Sequence, residues 1–175
     1  MRTALTPIAL LIAACSVAQP FERVEVVKVD STRSAADLYR TSERWFVDTF
    51  KDAQEVIQLR DTTTHTLVGK GARSMGEGAV LSFSLEVMTK AGRFRLRIYD
   101  VSLTSVGLVQ SLAYYGEPDT NCFRIVDAPL PDVYTPVMIE QMLTMRKETC
   151  DRIRGILRNL ESSLKAAMDK PKEDW

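Results

Sequence analysis

The stretch "LSFSLEVMTKAGRFRLRIYDV", residues 81–101, decides the fold class. Leu81, Phe83, Leu85 and Val87 alternate with Ser82, Ser84 and Glu86. After a turn at Lys90-Ala91-Gly92, Phe94, Leu96 and Ile98 alternate with Arg93, Arg95 and Arg97. A strand turns successive side chains to opposite faces, so this alternation predicts two half-buried antiparallel strands. One face meets a core and the other meets water. Matching the apolar faces across the turn sets Glu86 near Arg95.

Upstream, "EVIQLRD" (55–61) and "HTLVGKGA" (65–72) read as two shorter strands about the polar turn Asp61-Thr62-Thr63-Thr64, which makes a four-strand meander. Before it, Ser34-Ala35-Ala36-Asp37 has the pattern of a capping box. Leu38, Ser42, Trp45, Phe46, Thr49 and Phe50 then recur at helical spacing, with Arg40, Glu43, Arg44, Asp48 and Lys51 opposite. The Val-rich "FERVEVVKV" (21–29) reads as a first strand. Downstream, 106–134 holds Gly, Asp, Asn and prolines and predicts an irregular segment. Thr135-Pro136 then fits a cap and first-turn proline, opening a helix to about Met168. Its stripe runs Ile139, Leu143, Arg146, Cys150, Ile153, Leu157, Leu160 and Leu164. The order strand, helix, meander, loop, helix predicts an α+β domain over 21–169, both helices on one sheet face, with a tail at 170–175.

At 175 residues, 45% of them apolar and 26% charged, the chain is long enough for one domain with a real core. Lys+Arg 23 against Asp+Glu 23 leaves no net charge. Nucleic-acid binders draw affinity from a basic excess, so no nucleic-acid partner is expected.

The N-terminus reads separately. Arg2 precedes a mostly apolar run from Ala4 to Ala14, which covers about half of a ~30 Å hydrocarbon core. That length suits a signal peptide better than a membrane span. Ile12-Ala13-Ala14-Cys15 resembles the bacterial lipobox. The resemblance implies cleavage before Cys15 and lipidation of Cys15, so that 1–14 is a lipoprotein signal peptide and 15–20 a short linker. The alternative is an ordinary secretory signal or a buried apolar strand. Ser16, being non-acidic, implies by the same likeness an outer-membrane address facing the periplasm.

A second resemblance rests on "ADLYRTSERWFVDTF", "AQEVIQLRD", "LVGKGARS" and "FSLEVMTKAGRFRLRIYDV". Over residues 24–105 the chain resembles a bacterial family of exported domains of unknown function with a TATA-binding-protein-like fold. The resemblance implies a curved antiparallel sheet of about five strands, β-α-β-β-β-β-α, with two helices on its convex side. It carries no DNA binding with it, since fold is not function, and it offers no catalytic residues.

Several groups bear on chemistry. Arg93, Arg95 and Arg97 share the polar sheet face. They are expected to be a solvated face paired with Glu86; the sharper alternative is an anion site. Gly69-Lys70-Gly71 lacks the spacing of a phosphate loop; its glycines are expected to leave room for a large neighbour such as Trp45. Glu117, Asp119 and Asn121 alternate like the start of a calcium loop, but Cys122 and Ala128 stand where glycine and the closing carboxylate belong. His65, the one histidine, is expected at a solvated hairpin. No metal or cofactor is expected. Cys122 and Cys150 either form a disulfide, as an oxidising compartment favours, or stay as two buried thiols.

These readings converge on a non-catalytic, membrane-anchored lipoprotein of the cell envelope. It would be a binding or assembly module for an envelope protein or small ligand. One alternative is an enzyme working in 106–134, where Asp119, Arg124 or Asp127 would line a cleft. The other is a structural partner, docking or self-associating through the C-terminal helix.

Overall fold

The computed structural model describes residues 19–50, 53–76, 78–105, 108–114, 124–125 and 135–170. Strands β1 (Gln19–Pro20) and β2 (Glu22–Lys28) lead into helix α1 (Ala35–Phe50). A helical turn, α2 (Ala53–Val56), precedes the meander β3 (Ile57–Asp61), β4 (Thr66–Gly76), β5 (Ala79–Lys90) and β6 (Arg93–Ser105). Then come β7 (Leu108–Tyr114), β8 (Arg124–Ile125) and α3 (Pro136–Met168).

Five strands make the frame, in the order β2-β6-β5-β4-β3, every neighbour antiparallel. The first strand and the first strand of the meander thus lie at opposite edges, and the chain between them crosses one face as α1. This is the expected α+β order, a curved sheet with two helices. The expectation of irregular chain over 106–134 fails at β7, which pairs with β6 from Ser105↔Leu108 to Ser102↔Ser111. β1 and β8 then pair with β7, so among the described residues the sheet holds eight strands.

Local chemistry explains the element ends. The Ser34 hydroxyl accepts from Asp37 N at 3.1 Å and donates to Asp37 Oδ2 at 2.7 Å, closing the capping box of α1. Asp61 accepts from Thr63 N, Thr64 N and the Thr64 hydroxyl, which fixes the β3–β4 turn. Those bonds hold its carboxyl below the usual range, the Thr64 hydroxyl being the largest cause. Gly92 closes the β5–β6 hairpin at φ +67, where a Cβ would stand 3.0 Å from Ser31 Cα. Thr135 caps α3 and Pro136 opens it.

The core lies between the sheet and the helices. Leu81, Phe83, Leu85 and Val87 from β5 and Phe94, Leu96 and Ile98 from β6 are buried, as the alternation requires. Beyond Ile98 the alternation breaks: Ser84 pairs with Tyr99 but Ser82 pairs with Ser102, so Asp100 and Val101 both oppose Phe83. Asp100 takes φ +50, a left-handed geometry that Asp and Asn adopt more readily than most side chains. The bulge shifts the phase by one, so Val101 and Leu103 are buried where uninterrupted alternation would expose them.

Gly69 and Gly71 on β4 make room for aromatic rings, but not for Trp45. A Cβ on Gly69 would sit 2.6 Å from Phe46 Cε1; one on Gly71 would sit 2.5 Å from Phe83 Cε2 and 2.7 Å from Phe50 Cε1. Trp45 turns instead towards α3, where its indole N–H donates to Ser163 Oγ at 3.0 Å. The α3 stripe is buried from Ile153 through Leu157, Leu160 and Leu164 to Met168. Upstream, the side chains of Ile139, Leu143 and Arg146 lie outside the described residues.

Two ion pairs fasten α3 under β2: Arg23 Nε to Glu161 Oε1 at 2.6 Å and Lys165 Nζ to Glu25 Oε1 at 2.5 Å. Burial pushes the Glu161 carboxyl above its ordinary pKa, and Arg23 opposes the shift. Arg33, in the β2–α1 loop, donates to Met168 O at 2.6 Å and Lys170 O at 3.1 Å, capping the end of α3.

Candidate functional site

The helices cover one face of the sheet, and the other carries the polar residues of β2, β5 and β6. Cross-strand register sets these side chains in rows. One row runs Lys70, Ser84, Tyr99, Glu22; the next runs Val68, Glu86, Arg97, Val24; then Thr66, Met88, Arg95, Val26. The last, at the hairpin end, is Lys90, Arg93, Lys28.

Arg93, Arg95 and Arg97 therefore do share this face, with different surroundings. Arg95 Nη2 lies 2.6 Å from Glu86 Oε1, the contact that matching the apolar faces anticipates, although Glu86 pairs directly with Arg97. Arg97 holds Glu22 through Nε at 2.8 Å and Nη2 at 3.4 Å, with Glu86 Oε2 3.8 Å from its Nη1. Its guanidinium stacks over Tyr99, 4.5 Å from the ring centroid. The bond to Glu22 raises the Arg97 pKa further, while burial pushes the Tyr99 hydroxyl up. These four charged side chains form a balanced network. Arg93 stands apart, exposed between two lysines.

A shallow depression of about 190 Å³ opens beside Arg93. Val26, Met88, Lys90, Arg93, Phe94 and Arg95 line it. Val24 and Val26 are 51% and 61% exposed, so the surface next to the cations is apolar. The face thus offers cations and an apolar shelf, which suits recognition of an anion attached to something greasy. Lys28 and Lys90 are absent from the sequence reading of this face. The sequence pattern places Lys90 in the turn, and Lys28 meets Arg93 only through a pairing between β2 and β6, far apart in the chain.

The remaining groups fall as follows. Cys15, Cys122, Asp119, Asp127 and the Glu117/Asn121 pattern lie outside the described residues, as does the side chain of Arg124. Cys150 is disulfide-bonded. His65 sits in the β3–β4 turn at φ +54 with its ring edge-on to Tyr39, centroids 6.0 Å apart. Gly69 and Gly71 face the Phe46, Phe50 and Phe83 rings of the core. Among the described residues no group of three His, Cys, Asp or Glu could hold a metal, and no helix is long and apolar enough to cross a membrane.

No functionally curated protein matches the chain. Among solved structures, a DUF4468 family protein from Bacteroides ovatus superposes with a TM-score of 0.57 at 13% identity, over 91% of this chain and 92% of that one. A TBP-like protein from Parabacteroides distasonis gives 0.50 at 8% identity, over 82% of this chain and 92% of that one. At such identities the likeness is one of fold. Residues 24–104 match the family model "Domain of unknown function (DUF4468) with TBP-like fold", and the strand order β2-β6-β5-β4-β3 under two helices is the TBP-like fold that this model names.

Proposed function

We propose that the chain is a lipid-anchored, non-catalytic binding module of the bacterial cell envelope, presenting the helix-free face of its sheet to a ligand or partner. The observation that carries the anchoring is Ile12-Ala13-Ala14-Cys15, set at the end of an apolar run too short to span a bilayer. A disulfide at Cys150 supports export, since such bonds persist in oxidising compartments. Cys122 is its proposed partner. Lipidation at Cys15 with Ser16 following supports the outer membrane and its periplasmic side. The mixed charge of the open face, where Glu22 and Glu86 interrupt the arginines, speaks against a nucleic-acid partner.

The test is radiolabelled palmitate incorporation and membrane fractionation of the wild-type chain and of Cys15→Ala. Label and membrane association are expected in the first and lost in the second. An unlabelled wild type, or unchanged membrane association of the variant, rejects the anchor.

A second reading has one observation in its favour. Val137, Met138 and Met145, on the first half of α3, are 63%, 44% and 65% exposed. A helix with apolar side chains in water suits docking or self-association. Sedimentation of the chain with and without Met145→Glu decides it, a fall in assembly size supporting the helix as the contact.

A further inference from the structure

We propose that the row Lys28–Arg93–Lys90, with the depression beside it, binds an amphiphilic anion: a diffusible molecule with a phosphate or carboxylate head and a short apolar tail. This names the ligand class for the open face and rests on the reading of the domain as a binding module.

The first ground is a local rule that the sheet breaks. Lys28 pairs across the ladder with Arg93, and Arg93 with Lys90, so three cations stand side by side on neighbouring strands. Like charges directly opposite one another destabilise a sheet. One and two rows away, the same face neutralises Arg95 with Glu86 and Arg97 with Glu22. Among the described residues no carboxylate pairs with Lys28, Arg93 or Lys90. An uncompensated row next to a compensated one is what an anion site requires, because an acidic side chain there would compete with the ligand.

The second ground is the shelf. The depression's volume of about 190 Å³ lies below the ~300 Å³ of pockets that enclose drug-sized ligands, so it seats a head group and not a whole lipid. Exposed Val26, with Val24 along the same strand, continues the surface outward and gives an apolar tail somewhere to lie. Arg95, in the wall, keeps a buried Nε that donates to no acceptor among the described residues, although its Nη2 is taken by Glu86.

The third ground is position. β2 enters the domain at Glu22 and reaches the cation row at Lys28, about 20 Å further along at ~3.3 Å per residue. On the anchoring at Cys15 proposed above, the chain enters β2 from the Glu22 end, which is the end nearer the anchor in sequence. The row is at the far end, which favours a diffusible amphiphile over the membrane's own head groups.

The test follows the Met88 methyl resonance of the full chain in nanodiscs of neutral lipid, assigned with Met88→Leu. Octyl phosphate, kept below its micelle concentration, should shift that resonance saturably and bind at least about tenfold more tightly than inorganic phosphate. The neutral octyl glucoside should leave it in place. Lys28→Gln with Arg93→Gln should weaken octyl phosphate at least about tenfold, and Arg97→Gln should not. If the double variant does not fold, Lys90→Gln carries the same comparison. Equal affinity for phosphate with and without the octyl chain, an equal shift with octyl glucoside, or undiminished binding in the cation variants overturns the proposal. So does a shift seen only when the nanodisc contains anionic phosphatidylglycerol. Titrating the Cys15→Ala chain separates this result from anchoring: a retained Met88 shift keeps the site even if the lipid reading falls, and a labelled wild type without the shift does the reverse.

Discussion

The same strands have two faces that obey different rules. On the covered face, phenylalanine rings enter the gaps left by Gly69 and Gly71, and Leu38, Phe46, Leu67 and Leu85 are fully buried. On the open face, rows of charge lie in solvent, some balanced and one not. The comparison teaches where the energy resides. Fully burying a leucine or phenylalanine contributes about 1.5–3 kcal/mol, while an exposed ion pair contributes ~0–1 kcal/mol. The covered face therefore tolerates little change and maintains the fold, and the open face is free to be chosen for its chemistry.

Breaking the covered face should have the largest effect. Phe46→Ala empties the space against Gly69 and should cost about 3–5 kcal/mol in urea unfolding. A loss below ~1 kcal/mol would mean that the ring is not a core element. Gly71→Ala comes next, through crowding. Its Cβ would meet the Phe50 and Phe83 rings, and the expected cost is about 1–3 kcal/mol in the same measurement. An unchanged midpoint would contradict the close approach.

Glu161 lies on the covered side, on α3 under β2, and its prediction is a slope against pH. Burial raises the folded carboxyl pKa above the unfolded value. Its contribution to stability is then fully present below the unfolded pKa and is lost as pH rises through the folded one. Glu161→Gln should remove that dependence, so the variant gains on the wild type as pH rises from the ordinary carboxylate range through the raised folded pKa. Parallel slopes for the two chains would show that Glu161 is not desolvated. The smallest effect belongs to the open face: Arg97→Gln should change stability by less than about 1 kcal/mol, read as a thermal midpoint close to wild type. A large drop would make the balanced network part of the core architecture.

Much of the covered face was legible because its signals are local. The alternation from Leu81 to Ile98, the Ser34 box and the Thr135-Pro136 cap each occupy a few consecutive residues. What was not legible depends on contacts between distant parts. Residue size alone pairs Trp45 with the strand glycines, but helical geometry turns Phe46 and Phe50 to the sheet and leaves Trp45 for Ser163. β7 was hidden by the glycines and prolines around it, and it forms because β6 continues past the end of β2 with an edge to pair. The bulge at Asp100 leaves no mark except a break in alternation after Ile98. For the open face, the three arginines were visible as a set, but not their division. Glu86 neutralises Arg95 and Glu22 neutralises Arg97, while the β2–β6 pairing sets Lys28 beside Arg93.

The contacts between β2, its following loop and the last turns of α3 also govern when the domain can form. Arg23, Glu25 and Arg33, near the start, find their partners at Glu161, Lys165, Met168 and Lys170, up to 137 residues later in the chain. A chain that emerges from its N-terminus first cannot close this clasp until almost all of it has appeared. Contacts of such long range slow folding. A domain built this way locks only once the last turns of α3 have been made.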